Sequence, residues 1–480
     1  MTMIACIYAW ACALMILIPA RLEKRDAILT QKMLNDATET FVVKDNYDLL
    51  GQKLMIPAGL KLSFSGGSVD NGELCGSDSE IDVKGHSPIF GFDIKISGTW
   101  RVPEVHDGWF AFDKSPDFIS NNLINNVLAF SNDTSYCHLV FDENRTYFYE
   151  LGYHDGGFLG EMVSYKVVDG KKKRTYSDLL TDDFSFLRIF SIPSNTRLTV
   201  NNTWIMLPTN MGAYFVFWEK FKENITIDGF GKICGDAKTH LYTQPFNVDS
   251  KRYFGEWGMI FEFISCRNIT FRDITIEGAF GDCLYFSSRI TKGVSHKKQI
   301  ARGLLMDNVT VRYGRRNGVV IGAQDVVIRN CLFEKCGIDE IHGTQPWAAI
   351  DFESDDLKKN DLFYCDNVQM MNCVFRDNRI DVNSYGVTSP SFGKYAITIK
   401  NCSFYNAVSV NSSHWMRFIK CHFSFLQSGK NTFSMFTNST NLSFEDCSFD
   451  KLDKNRQAKS LLKGNRFTNC TVGEKSLKKE

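Results

Sequence analysis

The chain predicts an all-β fold, a solenoid of the parallel β-helix kind, and three observations predict it. The first is a short phrase of Asn or Asp, Cys, any residue and Phe. It reads Asn330-Cys331-Leu332-Phe333, Asn372-Cys373-Val374-Phe375, Asn401-Cys402-Ser403-Phe404 and Asp446-Cys447-Ser448-Phe449, with the variant Lys420-Cys421-His422-Phe423. The second is a sister phrase built on Thr: Asn224-Ile225-Thr226-Ile227, Asn268-Ile269-Thr270-Phe271, Asp273-Ile274-Thr275-Ile276 and Asn308-Val309-Thr310-Val311. Most successive copies lie 19 to 44 residues apart, an interval of one or two solenoid turns. The third is the scarcity of helical periodicity after residue 40.

Each phrase is a polar turn residue followed by alternating β-branched or aromatic residues, the period of a short strand. The run from Arg316 to Asn330 alternates strand, polar corner and strand. Coils of this kind stack about 4.8 Å apart, each hydrogen-bonded to its neighbours. A β-sandwich would need Asn-Gly hairpin turns every 8 to 12 residues or so, and these are sparse. Asn suits the corners because it tolerates left-handed backbone and can bond along a stack. The Cys and Phe columns then fill the interior, with Cys acting as a small hydrophobe. No Cys-x-x-Cys pair occurs to support a zinc cluster. The Asn-x-Ser/Thr sequons read as by-products of the repeat.

Residues 1–20 contain an apolar run, Met3 to Ala20, that reads as an export signal or an N-terminal membrane anchor. Its removal would take Cys6 and Cys12 and leave 13 cysteines, an odd number that argues against a full disulfide framework. Residues 21–40 read as a linker or short helix, and the β-helix is expected over 41–470. Gly and Pro punctuate its first strands between Leu49 and Ser68. The stretch 144–180, with Tyr147, Tyr149, Tyr153 and the basic run Lys171 to Arg174, breaks the rhythm as an excursion. Residues 471–480 form a charged tail. With 55 basic and 55 acidic residues, the chain lacks the charge footprint of a nucleic-acid partner. Its 39 Phe and 44% hydrophobic content suffice for a long packed interior.

The segment Asn224-Ile-Thr-Ile-Asp-Gly-Phe-Gly-Lys-Ile-Cys-Gly235, with Met259 to Phe263 and Cys266 to Phe271, resembles the coil of pectin-lyase-like proteins, including polygalacturonase-type glycoside hydrolases. Arg315-Arg316-Asn317-Gly318 and Ala348 to Glu353 look like a recurrent block of bacterial members, and Ile56 to Ser68 is similar to their N-terminal coils. The resemblance covers residues 41 to 450 or so and implies a single-stranded right-handed parallel β-helix. It lends no catalytic residues. The polygalacturonase hallmarks, Asp-Asp with Gly-His-Gly and Arg-x-Lys, are absent in that form, and Gly85-His86-Ser87 and Ile341-His342-Gly343 are fragments only.

Stacking the coils at an offset of 35 residues sets Asp282 to Phe286 over Asn317 to Ile321. Ala348 to Glu353, Asn378 to Asn383 and Ala407 to Asn411 follow. Leu284, Val319, Ile350, Ile380 and Val408 then share an interior column. Tyr285, Val320, Asp351, Asp381 and Ser409 share the exterior column beside it, with Glu353, Asn383 and Asn411 two residues on. Asp351, Asp381 and Glu353 are therefore the candidate catalytic carboxylates, spaced at roughly 5 Å. Carboxyls so close hold one proton to higher pH, as acid/base catalysis of glycoside hydrolysis requires. The irregular loop Gly337 to Pro346 brings His342 and Trp347 to the same end of the strands. Arg315, Arg316, Asp282 and Asn383 complete a candidate substrate-binding set: Trp347 for stacking on a sugar, the arginines for a uronate carboxylate. Solvation of an outer face accounts for any one of these acids taken alone.

The expectation is an exported carbohydrate-active protein with a polysaccharide substrate, a glycoside hydrolase needing no cofactor. A polysaccharide lyase, with Ca held by Asp351, Glu353 and Asp381, is the second reading. A non-catalytic, adhesive or tailspike-like glycan-binding β-helix is the third.

Overall fold

Left-handed corners are the unit from which the fold is built. In the computed structural model, residues 27–84, 88–113, 118–151, 163–168, 171–176, 188–209, 214–242, 257–289, 291, 293–354, 365–387, 390, 393–424, 436–450 and 464–476 are described. Among them, Asp273, Asn308, Asn330, Asn372, Asn401, Lys420, Asp446 and Asn469 all have φ between 50° and 57°. Each opens a strand of one parallel sheet. Asn side chains in this region cost less than branched ones, and they bond to the corner below. Asn308 Nδ2 donates to Asp273 Oδ1 at 2.7 Å, Asn401 to Asn372 at 3.2 Å and Asn469 to Asp446 at 3.2 Å.

A second ladder of the same kind, Asn195, Asn224 and Asn268, opens strands of another sheet, linked at 2.9 and 3.1 Å. The Thr phrase thus belongs to two corners rather than one series. Asn224 and Asn268 open the strands Glu223–Asp228 and Arg267–Arg272 of one sheet. Asp273 and Asn308 lead Thr275–Glu277 and Thr310–Arg312 of the other, in line with the Cys phrase.

The chain divides into two compact units. The smaller, residues 1–100 with 109–111, holds a five-stranded parallel arrangement around Lys61–Phe64 and Glu73–Val83 and a three-stranded sheet, Ala27–Ile28, Asn46–Asp48 and Ser68–Asp70. A short helix, Gln31–Asn35, is capped by Thr30, whose hydroxyl accepts from the Met33 amide.

The larger unit is a parallel β-helix. Two sheets of twelve strands and one of nine run along it, and successive strands of each sheet come from successive coils. The first sheet ends at Glu104–His106, which pairs with Cys137–Phe141, and the second in a short antiparallel pair at Lys475–Ser476. Inside, the Phe of the repeated phrase form one stack. Phe333, Phe375, Phe404, Phe423 and Phe449 are in register, and their ring centroids are 4.8 to 5.1 Å apart, one strand spacing. The Cys before each Phe is buried and free, and its thiol donates to the carbonyl two residues back, as Cys331 does to Arg329 at 3.1 Å. All 13 described cysteines are unpaired, which agrees with a packing role.

Strands Val163–Val168 and Lys171–Tyr176, within the stretch read as an excursion, pair antiparallel in a sheet of their own. Thr146–Tyr149, at its start, is a rung of the second twelve-stranded sheet. The apolar run at 1–20 and Gly85-His86-Ser87 lie outside the described residues. Among the described residues no helix is long and apolar enough to cross a membrane.

Candidate functional site

The nine-stranded sheet carries the candidate residues. Its stack runs through Phe215–Lys220, Met259–Ile264, Asp282–Ser287, Asn317–Gly322, Ala348–Glu353, Ile380–Tyr385 and Ala407–Asn411. Phe261 packs edge-on against Phe271 of another sheet, so its column, with Leu284, Val319 and Ile350, faces the interior. The alternate column, Glu262, Tyr285, Val320 and Asp351, therefore lies on the outer face.

The register differs by two residues on one rung from that expected of the sequence. Ile350 pairs with Val382, not Ile380, and Asp351 with Asn383, not Asp381. A bulge between Ile380 and Val382 absorbs the slip, so Val408 and Ser409 return to the expected columns. Asp381 is accordingly not the partner of Asp351. Its carboxylate is buried in the bulge, where it accepts from the Asn406 amide at 2.7 Å and from Asn378 Nδ2 at 3.0 Å. Burial raises its pKa to about 6. It stitches two coils together. Tyr385 takes the place expected for Asn383, between Glu353 and Asn411.

Asp351 and Glu353 do meet. They project from the same face of one strand, two residues apart. Asp351 is fully buried, while the Glu353 side chain is 22% exposed. Asn383 Nδ2 donates to Asp351 Oδ1 at 2.7 Å, and the buried Oδ2 receives no donor among the described residues. The Asp351 and Glu353 carboxyls lie within hydrogen-bond reach of each other, a bond that forms only when one of them carries a proton. Burial first, then the charge and hydrogen bond of Glu353, hold the Asp351 pKa well above the usual carboxylate range.

Arg316 ties this pair to the coils before it. Its Nη1 donates to Asp282 Oδ2 at 2.6 Å, its Nη2 lies 3.6 Å from Glu353 Oε1, and its Nε donates to the Gln345 carbonyl at 3.2 Å. Asp282 is fully buried; burial raises its pKa to about 6 against the pull of Arg316. It also accepts from the Asn317 amide at 3.0 Å. One guanidinium thus bridges two carboxylates from different coils and the irregular loop.

The other expected binding residues on or beneath that loop face elsewhere. Arg315 is buried over the Phe280 ring at 4.1 Å and donates to the Phe280 and His342 carbonyls. It braces the loop from within and does not reach out to a ligand. His342 is paired with Asp339 at 3.1 Å and stacks on Tyr242 with centroids 3.7 Å apart. Trp347 has the Arg379 guanidinium over its ring at 3.5 Å, so one of its faces is taken.

Sequence reasoning missed Glu262. It shares the outer column of Asp351 three rungs away, is buried, and donates nothing while accepting from Arg289 at 3.2 Å. Burial raises its pKa to about 7. The strand Met259–Ile264 is apolar on every side of it, which was the available signal.

The fold and this cluster define a parallel β-helix protein with a proton-sharing carboxyl pair on an outer sheet face. No protein-family model matches the chain. A curated relative, the uncharacterized protein YclG of Bacillus subtilis (strain 168), is 28% identical over 221 residues; the match covers 45% of this chain and 35% of the relative. The chain therefore spans about a third of that relative's length. Three solved structures are similar at low scores. The mannuronan C-5 epimerase AlgE4 A-module of Azotobacter vinelandii has a TM-score of 0.38 at 10% identity, covering 77% of this chain and 98% of its own. A tailspike of E. coli bacteriophage HK620, in complex with a pentasaccharide, gives 0.38 at 10%, covering 71% and 65%. The tailspike gp49 of Acinetobacter baumannii bacteriophage Fri1, a capsular polysaccharide depolymerase, gives 0.33 at 14%, covering 95% and 65%. Likenesses of this size assign no activity.

Proposed function

We propose that this is an exported carbohydrate-active β-helix protein, a glycoside hydrolase that cleaves a polysaccharide by carboxylate acid/base catalysis. The observation that carries the reading is the Asp351–Glu353 pair, two carboxyls side by side on one strand next to Arg316, with the Asp351 pKa held well above the usual carboxylate range. Glu353 is the member that reaches solvent, so it is the group that meets the glycosidic oxygen or the attacking water. Asp351, buried behind it, is a positioning residue whose raised pKa lets it donate a hydrogen bond to Glu353. Asp282, buried on the other side of Arg316, fixes that guanidinium beside Glu353.

The test is a polysaccharide panel read for both new reducing ends and the ultraviolet absorbance of an unsaturated uronate. Reducing ends without absorbance, lost in Glu353→Gln with folding intact, support the hydrolase. Absorbance would move the assignment to a lyase. Binding with no shortening of the glycan by wild type would remove the enzyme reading altogether.

A further inference from the structure

A second cluster lies at the corner that follows the second twelve-stranded sheet. Tyr313 and Lys335 occupy successive corners, with φ of 57° and 55°, and the Tyr313 amide donates to the Glu334 carbonyl at 3.2 Å. Their spacing is therefore set by the ladder. Lys335 Nζ lies 3.5 Å from the Tyr313 hydroxyl and 5.6 Å from its ring centroid. Lys238 Nζ sits over the same ring at 3.3 Å, which places the two ammonium groups within about 9 Å of each other.

Lys238 is carried by a fixed segment. The Ala237 amide donates to the Gly278 carbonyl at 2.9 Å, and buried Asp236 accepts from Tyr214 at 2.5 Å and pairs with His240 at 2.9 Å. The nearby acids are already engaged. Glu277 pairs with Arg312 and with Lys232 at 3.3 Å, and Glu334 with Arg376 at 2.9 Å. Asp377 occupies the next corner. Against these three acids stand five cations, Lys232, Lys238, Arg312, Lys335 and Arg376. Neither Lys238 nor Lys335 has a carboxylate in ion-pair contact among the described residues. A tyrosine ring and its hydroxyl do not neutralise two ammonium groups, and an anion within reach of both would accept a charge-assisted hydrogen bond of about 2.8 Å from each.

The corner also leads to the carboxyl pair. Tyr242 donates to the Ala237 carbonyl at 3.2 Å and stacks on His342, and the same loop reaches Arg316 through Gln345. We propose that Lys238 and Lys335, gathered on Tyr313, bind an anionic group, a carboxylate, sulfate or phosphate, on the glycan whose linkage meets Glu353. The second half of this proposal rests on the hydrolase reading; the anion site stands without it.

The test is calorimetric titration of the full chain with three probes: trigalacturonate, its methyl ester and inorganic sulfate. The Lys238→Ala/Lys335→Ala variant should lose at least about tenfold in affinity for trigalacturonate, with the ester unaffected. Tyr313→Leu should lose less. Equal affinities in wild type and double variant, or no binding of either charged probe by wild type, would overturn the site. Binding of sulfate but not trigalacturonate would overturn its assignment to a carboxylated glycan. A Glu353→Gln protein that keeps full turnover while the lysine variant loses binding would sink the hydrolase and leave the anion site standing.

Discussion

Replacing Asp351 by Asn should make the protein more stable at neutral pH while impairing its chemistry. In the wild type a fully buried carboxyl lies beside Glu353, and its Oδ2 has no donor among the described residues. An Asn side chain keeps the acceptor used by Asn383 at 2.7 Å and offers an N–H to Glu353. Satisfying one buried, charge-facing acceptor is worth about 1–3 kcal/mol. The sign with pH follows from the raised pKa. Below the unfolded value of 3.8 both states hold the proton and the penalty is absent. As pH climbs, the unfolded chain ionises first and the folded state loses ground until the folded pKa is passed. The gain from Asn is therefore small near pH 4 and full at high pH. The measurement is the thermal unfolding midpoint of both proteins at matched scan rate across that range. A variant less stable than wild type at about pH 8, or a gain that does not grow with pH, would refute the reasoning.

Three further outcomes are expected. Asp381→Asn should lower stability, because it disturbs the bonds to Asn378 and Asn406, yet leave turnover per folded molecule unchanged; a loss matching Glu353→Gln would return Asp381 to the site. Phe375→Ala, in the middle of the ring stack, should cost about 3–5 kcal/mol, and Asn372→Ala about 1–2 kcal/mol, with Asn372→Gly close to neutral; denaturant midpoints read all three. In a Cys6→Ser/Cys12→Ser background, a thiol reagent should modify half-exposed Cys75 well before the twelve buried cysteines, which react only on unfolding.

The solenoid was legible because its repeat is written in residue types with strict backbone demands. A non-glycine corner at positive φ selects Asn or Asp, and an interior column one strand spacing apart selects stacked Phe. Those two columns were read correctly down to the residue. The site was legible only as far as the coil spacing was regular. Arg316, Asp351 and Glu353 lie on or beside rungs that pair without a bulge, at offsets of 35 and 31 residues, and the structure brings them together. Asp381 is itself the extra residue of a bulge, and a bulge leaves no mark in the alternation of its neighbours. Arg315 failed for another reason. Whether an arginine at a coil edge turns outward or under the loop depends on which ring it finds, and Phe280 is 35 residues away.

The corner ladder also bears on how the protein can be made. Asn224, Asn268, Asn308 and Asn401 each begin an Asn-x-Ser/Thr sequon, and each uses its side-chain nitrogen to reach the corner beneath. That nitrogen is the atom to which an oligosaccharyltransferase would attach a sugar. In a host that glycosylates nascent chains, every modified corner would enter folding with a bulky group where one coil must settle on the last. The same residues that hold the coils in line would then keep them apart, so a host without that machinery suits this chain.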